Sequence, residues 1–199
     1  MRAESVSLGV ADLLQGPLRR GVGLGAGYLD FGGWVLALTR PGKPRMPNGV
    51  ECELVVARGQ PAWIGEGRLE AGGRTVLAGA AWDPRPRPRF RLEADRRFTP
   101  DPLALGGRGG GLTPSGDDVL AGYAAGLVLW HGLAGEAARI AAVAAPLTTR
   151  LSATLLQHAA LGHLPEPAHR LLEDGDLEPL LRFGHSSGRA LLLGLALAC

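Results

Sequence analysis

Hydrophobic and polar positions change rhythm near residue 100 of this 199-residue chain. Before that point the apolar residues fall in short runs, SVSLGV, GWVLALT, VECELVVA, AWIGEGRL and RTVLAGAAW, punctuated by glycine and proline. Runs of this length between such breakers read as β-strands. RGQP and EAGG, where Gly or Pro interrupts the alternation, read as hairpin turns. After residue 100 the spacing is helical. DDVLAGYAAGLVLWHG places Leu120, Tyr123, Ala124, Leu127 and Val128 on one stripe, and AARIAAVAA, TRLSATLLQHAALG, PAHRLLEDG and RALLLGLALA follow it. The pattern predicts an α+β protein: a β-rich half over residues 1–100, either an antiparallel sheet or a small barrel, and a helical half over residues 101–199.

Composition adds limits. A chain that is 46% hydrophobic and 20% charged is an ordinary globular protein, and a net charge of +2 gives no reason to expect a nucleic-acid partner. Basic residues concentrate before residue 100, largely in RPRPRFR (85–91), where proline predicts an extended or edge segment. No stretch reaches the roughly 18 apolar residues that span a bilayer, and the two cysteines, Cys52 and Cys199, lack metal spacing. The expectation is a cytoplasmic protein with free thiols and no membrane contact.

One stretch carries most of the candidate chemistry. In GGRGGGLTPSGDDVLAG (106–122), five of the first six residues are glycine, and two acids follow at a helix start. Glycines free the backbone and let a ligand approach its N–H groups, while the first turn of a helix offers unsatisfied amides and a positive dipole end. Gly109, Gly110, Gly111, Thr113, Ser115 and Gly116 are therefore candidate substrate-binding residues for a small anion. Either Thr113 or Ser115 caps the helix. Asp117 and Asp118 stabilise a first turn by themselves, yet they would repel an anion unless a cation intervened. They are accordingly candidate ligands for Mg²⁺, or candidate catalytic groups that orient a substrate nitrogen. No GK[ST] follows the glycines, so the loop is not a P-loop.

A second stretch, GHSSGRALLLGLAL, repeats the order of the first. Ser115, Gly116, Leu120 and Gly122 correspond to Ser187, Gly188, Leu192 and Gly194, each 72 residues on. Two related helix starts could face one pocket, or the match is chance in a chain rich in Leu and Gly. His185 there is a candidate general acid, and Ser186 and Ser187 are candidate ligand-binding hydroxyls, with a capping role as the alternative. In TTRLS (148–152), Thr148 or Thr149 fits a helix cap, and Arg150 could reach a bound anion. His158, His163 and His169, spaced by five and six residues, do not stack on one helical face and read as structural.

GRGGGLTPSGDDVLAG, TTRLS and GHSSGRALLLG together resemble a bacterial family long labelled a domain of unknown function. One branch of that family is the third subunit of the oxamate carbamoyltransferase of anaerobic allantoin degradation. The resemblance covers residues 107–194, with RMPNGVE (45–51) a weaker echo, and Arg189 stands where the second motif is often acidic. It implies that the anion is carbamoyl phosphate, or phosphate with a carbamoylated acid, and that other enzyme subunits take part. The resulting expectation is a carbamoyltransferase-like enzyme or subunit. A Mg-nucleotide-dependent phosphotransfer enzyme and a noncatalytic assembly subunit are the alternatives, and a homo-oligomer remains open.

Overall fold

The glycine-punctuated first half folds into nine short strands that share one sheet. They are β1 (Ser5–Ser7), β2 (Arg19–Gly25), β3 (Tyr28–Asp30), β4 (Val35–Thr39), β5 (Gly49–Glu51), β6 (Pro61–Gly65), β7 (Arg68–Ala71), β8 (Arg74–Leu77) and β9 (Ala80–Trp82), ordered β8-β7-β6-β2-β3-β4-β5-β1-β9. The computed structural model describes residues 1–92 and 98–199, which divide into two units, Met1–Pro84 and Arg85–Cys199.

In the first unit, Met1–Ala3 runs beside β8: Ala3 N–H donates to Leu77 O, Leu77 N–H to Met1 O, and the N-terminal ammonium to Thr75 O. β1 then pairs with β9, so the N-terminal stretch ties one sheet edge to the other and the sheet curls on itself. Closure of this kind shields edges that would otherwise pair with other chains. Leu29, Leu36, Ile64 and Leu69 fill the core, and Leu14 of α1 (Ala11–Gln15) joins them.

The sheet is mixed rather than wholly antiparallel, because β4–β5 and β1–β9 are parallel. VECELVVA contributes only its start to a strand. Cys52, Leu54 and Val56 are buried while Glu53, Val55 and Ala57 are exposed, so the alternation places side chains correctly without a ladder. RGQP is a turn, but it leads into β6 from that unpaired segment instead of closing a hairpin; EAGG does join β7 to β8. The β2–β3 hairpin carries no clear hydrophobic signal, since Gly21 and Gly23 replace side chains there. A Cβ on Gly21 would meet the Phe31 ring and Asp30 O, and one on Gly23 would meet Ala57 O.

The second unit is helical: α2 (Pro102–Leu105), α3 (Ser115–His131), α4 (Ala134–Ala144), α5 (Arg150–Ala159), α6 (Glu166–Asp174), α7 (Glu178–Leu181) and α8 (Ser187–Leu197). α3 is its centre, packed by α4, α5 and α8, and every residue from Leu120 to Val128 is buried. It stops at Gly132, which takes the left-handed conformation (φ 67°) and donates its N–H to Val128 O, an αL ending, while Leu133 N–H reaches Leu127 O. The Leu120–Val128 stripe meets Ile140, Leu156, Leu172, Leu180 and Leu195 in one apolar cluster. α3 and α8 cross at two glycines: a Cβ on Gly122 would strike Leu191 O, and one on Gly194 would strike Val119 O.

RPRPRFR lies in this unit as an extended segment along α6, not as an edge strand. Arg89 N–H and Phe90 N–H donate to Leu172 O, and Arg87 N–H to a Glu173 carboxylate oxygen. Among the described residues no helix is long and apolar enough to cross a membrane.

Candidate functional site at joined helix starts

The glycine-rich loop connects α2 to α3 and is held down at both of its ends. Gly107 takes φ 70°, and a Cβ there would run into Leu147 O, so glycine is required. Its N–H donates to Asp117 Oδ1 at 2.8 Å, while Thr148 Oγ1–H donates to Asp117 Oδ2. Asp117 is 2% exposed, and both of its oxygens are engaged. This first-turn acid therefore bolts the loop and the start of α5 to α3. Thr149 completes the joint: its hydroxyl donates to Leu112 O at 2.7 Å and, as the cap of α5, accepts from Ser152 N–H.

At the tip, the bolt gives way to open space. Nothing lies within 4 Å of an ideal Cβ on Gly110 or Gly111, and all three of Gly109, Gly110 and Gly111 are exposed. Among the described residues, no acceptor takes the N–H groups of Gly110, Gly111, Ser115 or Ser187. Exposed, unsatisfied amides at helix starts and in glycine loops are where anions bind.

The two motifs meet. Thr113 Oγ1 lies 3.1 Å from Ser187 Oγ, and Ser115 Oγ lies 3.1 Å from Ser186 Oγ. Neither Thr113 nor Ser115 caps α3 with its side chain; the Pro114 carbonyl accepts from Asp117 and Asp118 N–H, which frees both hydroxyls to reach the other helix start. The repeat also extends further than its sequence. α3 starts at Ser115 and α8 at Ser187, each preceded by a four-residue helix, α2 or α7. Gly116 N–H donates to Arg108 O and Gly188 N–H to Phe183 O. A Cβ on Gly116 would strike Leu105 O, the end of α2, and one on Gly188 would strike Leu180 O in α7. The unit thus contains the same helix–loop–helix twice, packed start to start.

Asp118 sits at the seam. One of its oxygens takes a hydrogen bond from the Ser187 hydroxyl, so with Asp118 ionised the Thr113 hydroxyl donates to Ser187 in turn. Oδ2 is buried without a partner. Burial pushes this carboxyl up from 3.8 to about 7; the Asp117 charge adds to the rise, and the Ser187 bond opposes it. A carboxyl poised near neutrality can hold or release a proton under ordinary conditions.

Residues 105–199 match the family described as oxamate carbamoyltransferase subunit AllH. Over these residues the chain is similar to the AllH family. No curated protein and no solved structure matches the chain.

Within the matched residues, the structure joins five of the anticipated side chains across the two helix starts and leaves others outside these contacts. Thr113, Ser187 and Asp118 form one hydrogen-bonded set, and Ser115 pairs separately with Ser186. Gly116 is buried as a packing contact, with its N–H already used. His185 is exposed on the five-residue loop before α8, and Arg150 is exposed at the first position of α5. The sequence reading offered Thr148 only as an alternative cap for α5, a role that Thr149 takes, and did not anticipate that Thr148 and Gly107 hold Asp117. Among the described residues, no three His, Cys, Asp or Glu side chains gather.

Proposed function

We propose that this chain is a carbamoyltransferase subunit of the AllH type whose helical unit binds a small anion across the starts of α3 and α8. The observation that carries this reading is the pair of serine and threonine contacts joining two helix starts 72 residues apart, with the N–H groups of Gly110, Gly111, Ser115 and Ser187 uncommitted beside them. Two dipole ends and four hydroxyls around one point favour an oxyanion more than either end would alone. The family's description supplies the chemical class: a carbamoyl group and oxamate.

In this account the acceptor nitrogen attacks the carbamoyl carbon, the carbonyl oxygen gathers negative charge, and the C–O bond to phosphate breaks as the tetrahedral species collapses. Fixed N–H donors aimed at the growing charge lower the barrier because they need no reorganisation. Asp118, half-neutral near pH 7, tolerates an anion beside it and can take the proton leaving the acceptor nitrogen. Asp117 acts through the loop it fixes. Arg150 and His185, both exposed, are the further side chains this account recruits to the anion. Because the family is described as a subunit, a partner chain supplies whatever part of the reaction this chain does not.

The test is thermal unfolding with carbamoyl phosphate, phosphate, oxamate and ATP, each with and without Mg²⁺ at matched ionic strength. A ligand at 100 times its dissociation constant adds about 2.7 kcal/mol. Stabilisation by carbamoyl phosphate or phosphate that disappears in Ser187→Ala supports the reading. Stabilisation by Mg-ATP alone favours phosphotransfer, and none from any compound assigns the motif to assembly.

A further inference from the structure

The segment RPRPRFR holds its arginines out along the end of α6. Pro86 is buried and Pro88 half-buried, whereas Arg87, Arg89 and Arg91 are exposed. Proline offers no N–H, and the amides between are tied to α6: Arg87 N–H donates to Glu173, and Arg89 and Phe90 N–H to Leu172 O. An ideal Cβ on Gly175 would lie 3.5 Å from the Phe90 ring, so the strip also rests on the turn that stops the helix. Among the described residues, no carboxylate pairs with the side chain of Arg87, Arg89 or Arg91.

The turn beside the strip has the opposite sign. Glu173 and Asp174 close α6 and Asp176 follows, three carboxylates where the negative end of the helix dipole disfavours them. Arg170 lies 3.5 Å from Asp174 Oδ2 and 3.0 Å from Asp176 Oδ2, so one guanidinium is shared by two acids. Apolar surface adjoins both: Phe90 is 47% exposed, and Leu177, next to Asp176, is 38% exposed.

A basic strip and an acidic turn side by side make a surface that a two-fold axis renders complementary to itself. In such a contact, residue i of one copy meets residue j of the other, and j meets i. Guanidinium groups bind carboxylates through paired N–H donors, and a strip already held by α6 and two prolines loses little freedom on contact. The net charge of +2 leaves weak repulsion between copies. A nucleic acid would call for a broader basic field than a strip bordered by Glu173, Asp174 and Asp176.

We propose that this face is a dimer interface, in which the Arg87–Arg91 strip of one chain lies against the Asp174–Asp176 turn of a second copy. Phe90 and Leu177 of both copies supply its apolar centre. The interface uses none of the residues at the starts of α3 and α8, so it stands or falls apart from the anion reading.

The experiment is sedimentation equilibrium of the full chain at low and high salt, with exchanged charges. Expected is a monomer–dimer equilibrium that weakens roughly tenfold or more between about 0.1 M and 1 M salt, as the Debye length falls from about 10 Å to about 3 Å. Arg89→Glu sets acid against acid and Asp174→Arg sets base against base, so each variant alone should be monomeric at concentrations where the parent pairs. Both should remain folded by circular dichroism, since the two side chains are exposed. Mixed one to one, the variants restore opposite charges at both contacts of the two-fold pair and should dimerise again. A parent that stays monomeric, a dimer that salt or either variant fails to weaken, or a mixture that does not reassociate overturns the proposal.

Discussion

Asp118→Asn should make the protein more stable at pH 8 and change little at pH 4. In the parent, the fold raises this carboxyl from 3.8 to about 7, chiefly by burial. Below pH 4 both folded and unfolded chains hold the proton, and Asp118 costs nothing. Between pH 4 and pH 7 the unfolded chain releases the proton while the folded chain keeps it, so stability falls as pH rises; above pH 7 the cost is constant. At 1.36 kcal/mol per pH unit, a rise of about three units gives a ceiling of about 4 kcal/mol, and partial exposure with solvent screening brings the expected value nearer to about 2. Asparagine keeps an oxygen for the Ser187 hydroxyl and carries no charge, so it isolates the ionisation. Urea unfolding of parent and variant, measured at intervals from pH 4 to pH 8, should show the variant's advantage opening through that window. A constant difference between the two proteins at every pH, or a variant that is weaker throughout, would refute the argument that burial governs this group.

The other predictions concern the frame around the site. Asp117→Asn replaces one of two accepting oxygens by an NH₂ group, leaving either Gly107 N–H or Thr148 O–H unpaired; it should lower stability by about 1–3 kcal/mol in denaturant unfolding, and Thr148→Val should lose part of the same energy. Gly194→Ala forces a methyl group against Val119 O at the α3–α8 crossing and should cost about 1–3 kcal/mol or more, seen as a lower unfolding temperature. Sulfate, which does not titrate in this range, should bind the parent more weakly as pH rises through about 7, because Asp118 acquires charge there, and Asp118→Asn should remove that dependence in calorimetric titrations.

Much of this architecture was legible in the amino acids. Five helices of the second unit followed from apolar spacing, and the 72-residue repeat located two helix starts that pack together. Local rules failed where distant groups decided the outcome. The alternation in VECELVVA marked burial correctly, yet strand pairing depends on a neighbour that the segment itself does not specify. β2 stayed hidden because Gly21 and Gly23 serve close backbone approach, which leaves no hydrophobic pattern. α2 and α7 have only four residues each, too few to display a period. At the site, Thr113 and Ser115 had a local role as caps and took a distant one with Ser187 and Ser186 instead. The same limit hid the 3.3 Å hydrogen bond between His158 Nδ1 and His163 Nδ1, since it depends on the turn at Gly162.

The central claim, that one small anion is held jointly by the starts of α3 and α8, is tested most directly by amide chemical-shift titration of the full chain with carbamoyl phosphate or phosphate. The account predicts that Gly110, Gly111, Ser115 and Ser187 shift together along one saturable curve, and that Ser187→Ala weakens the response at Gly111 as well as at its own helix. Saturable binding that moves the amides of only one helix start, or leaves all four unmoved, would contradict it.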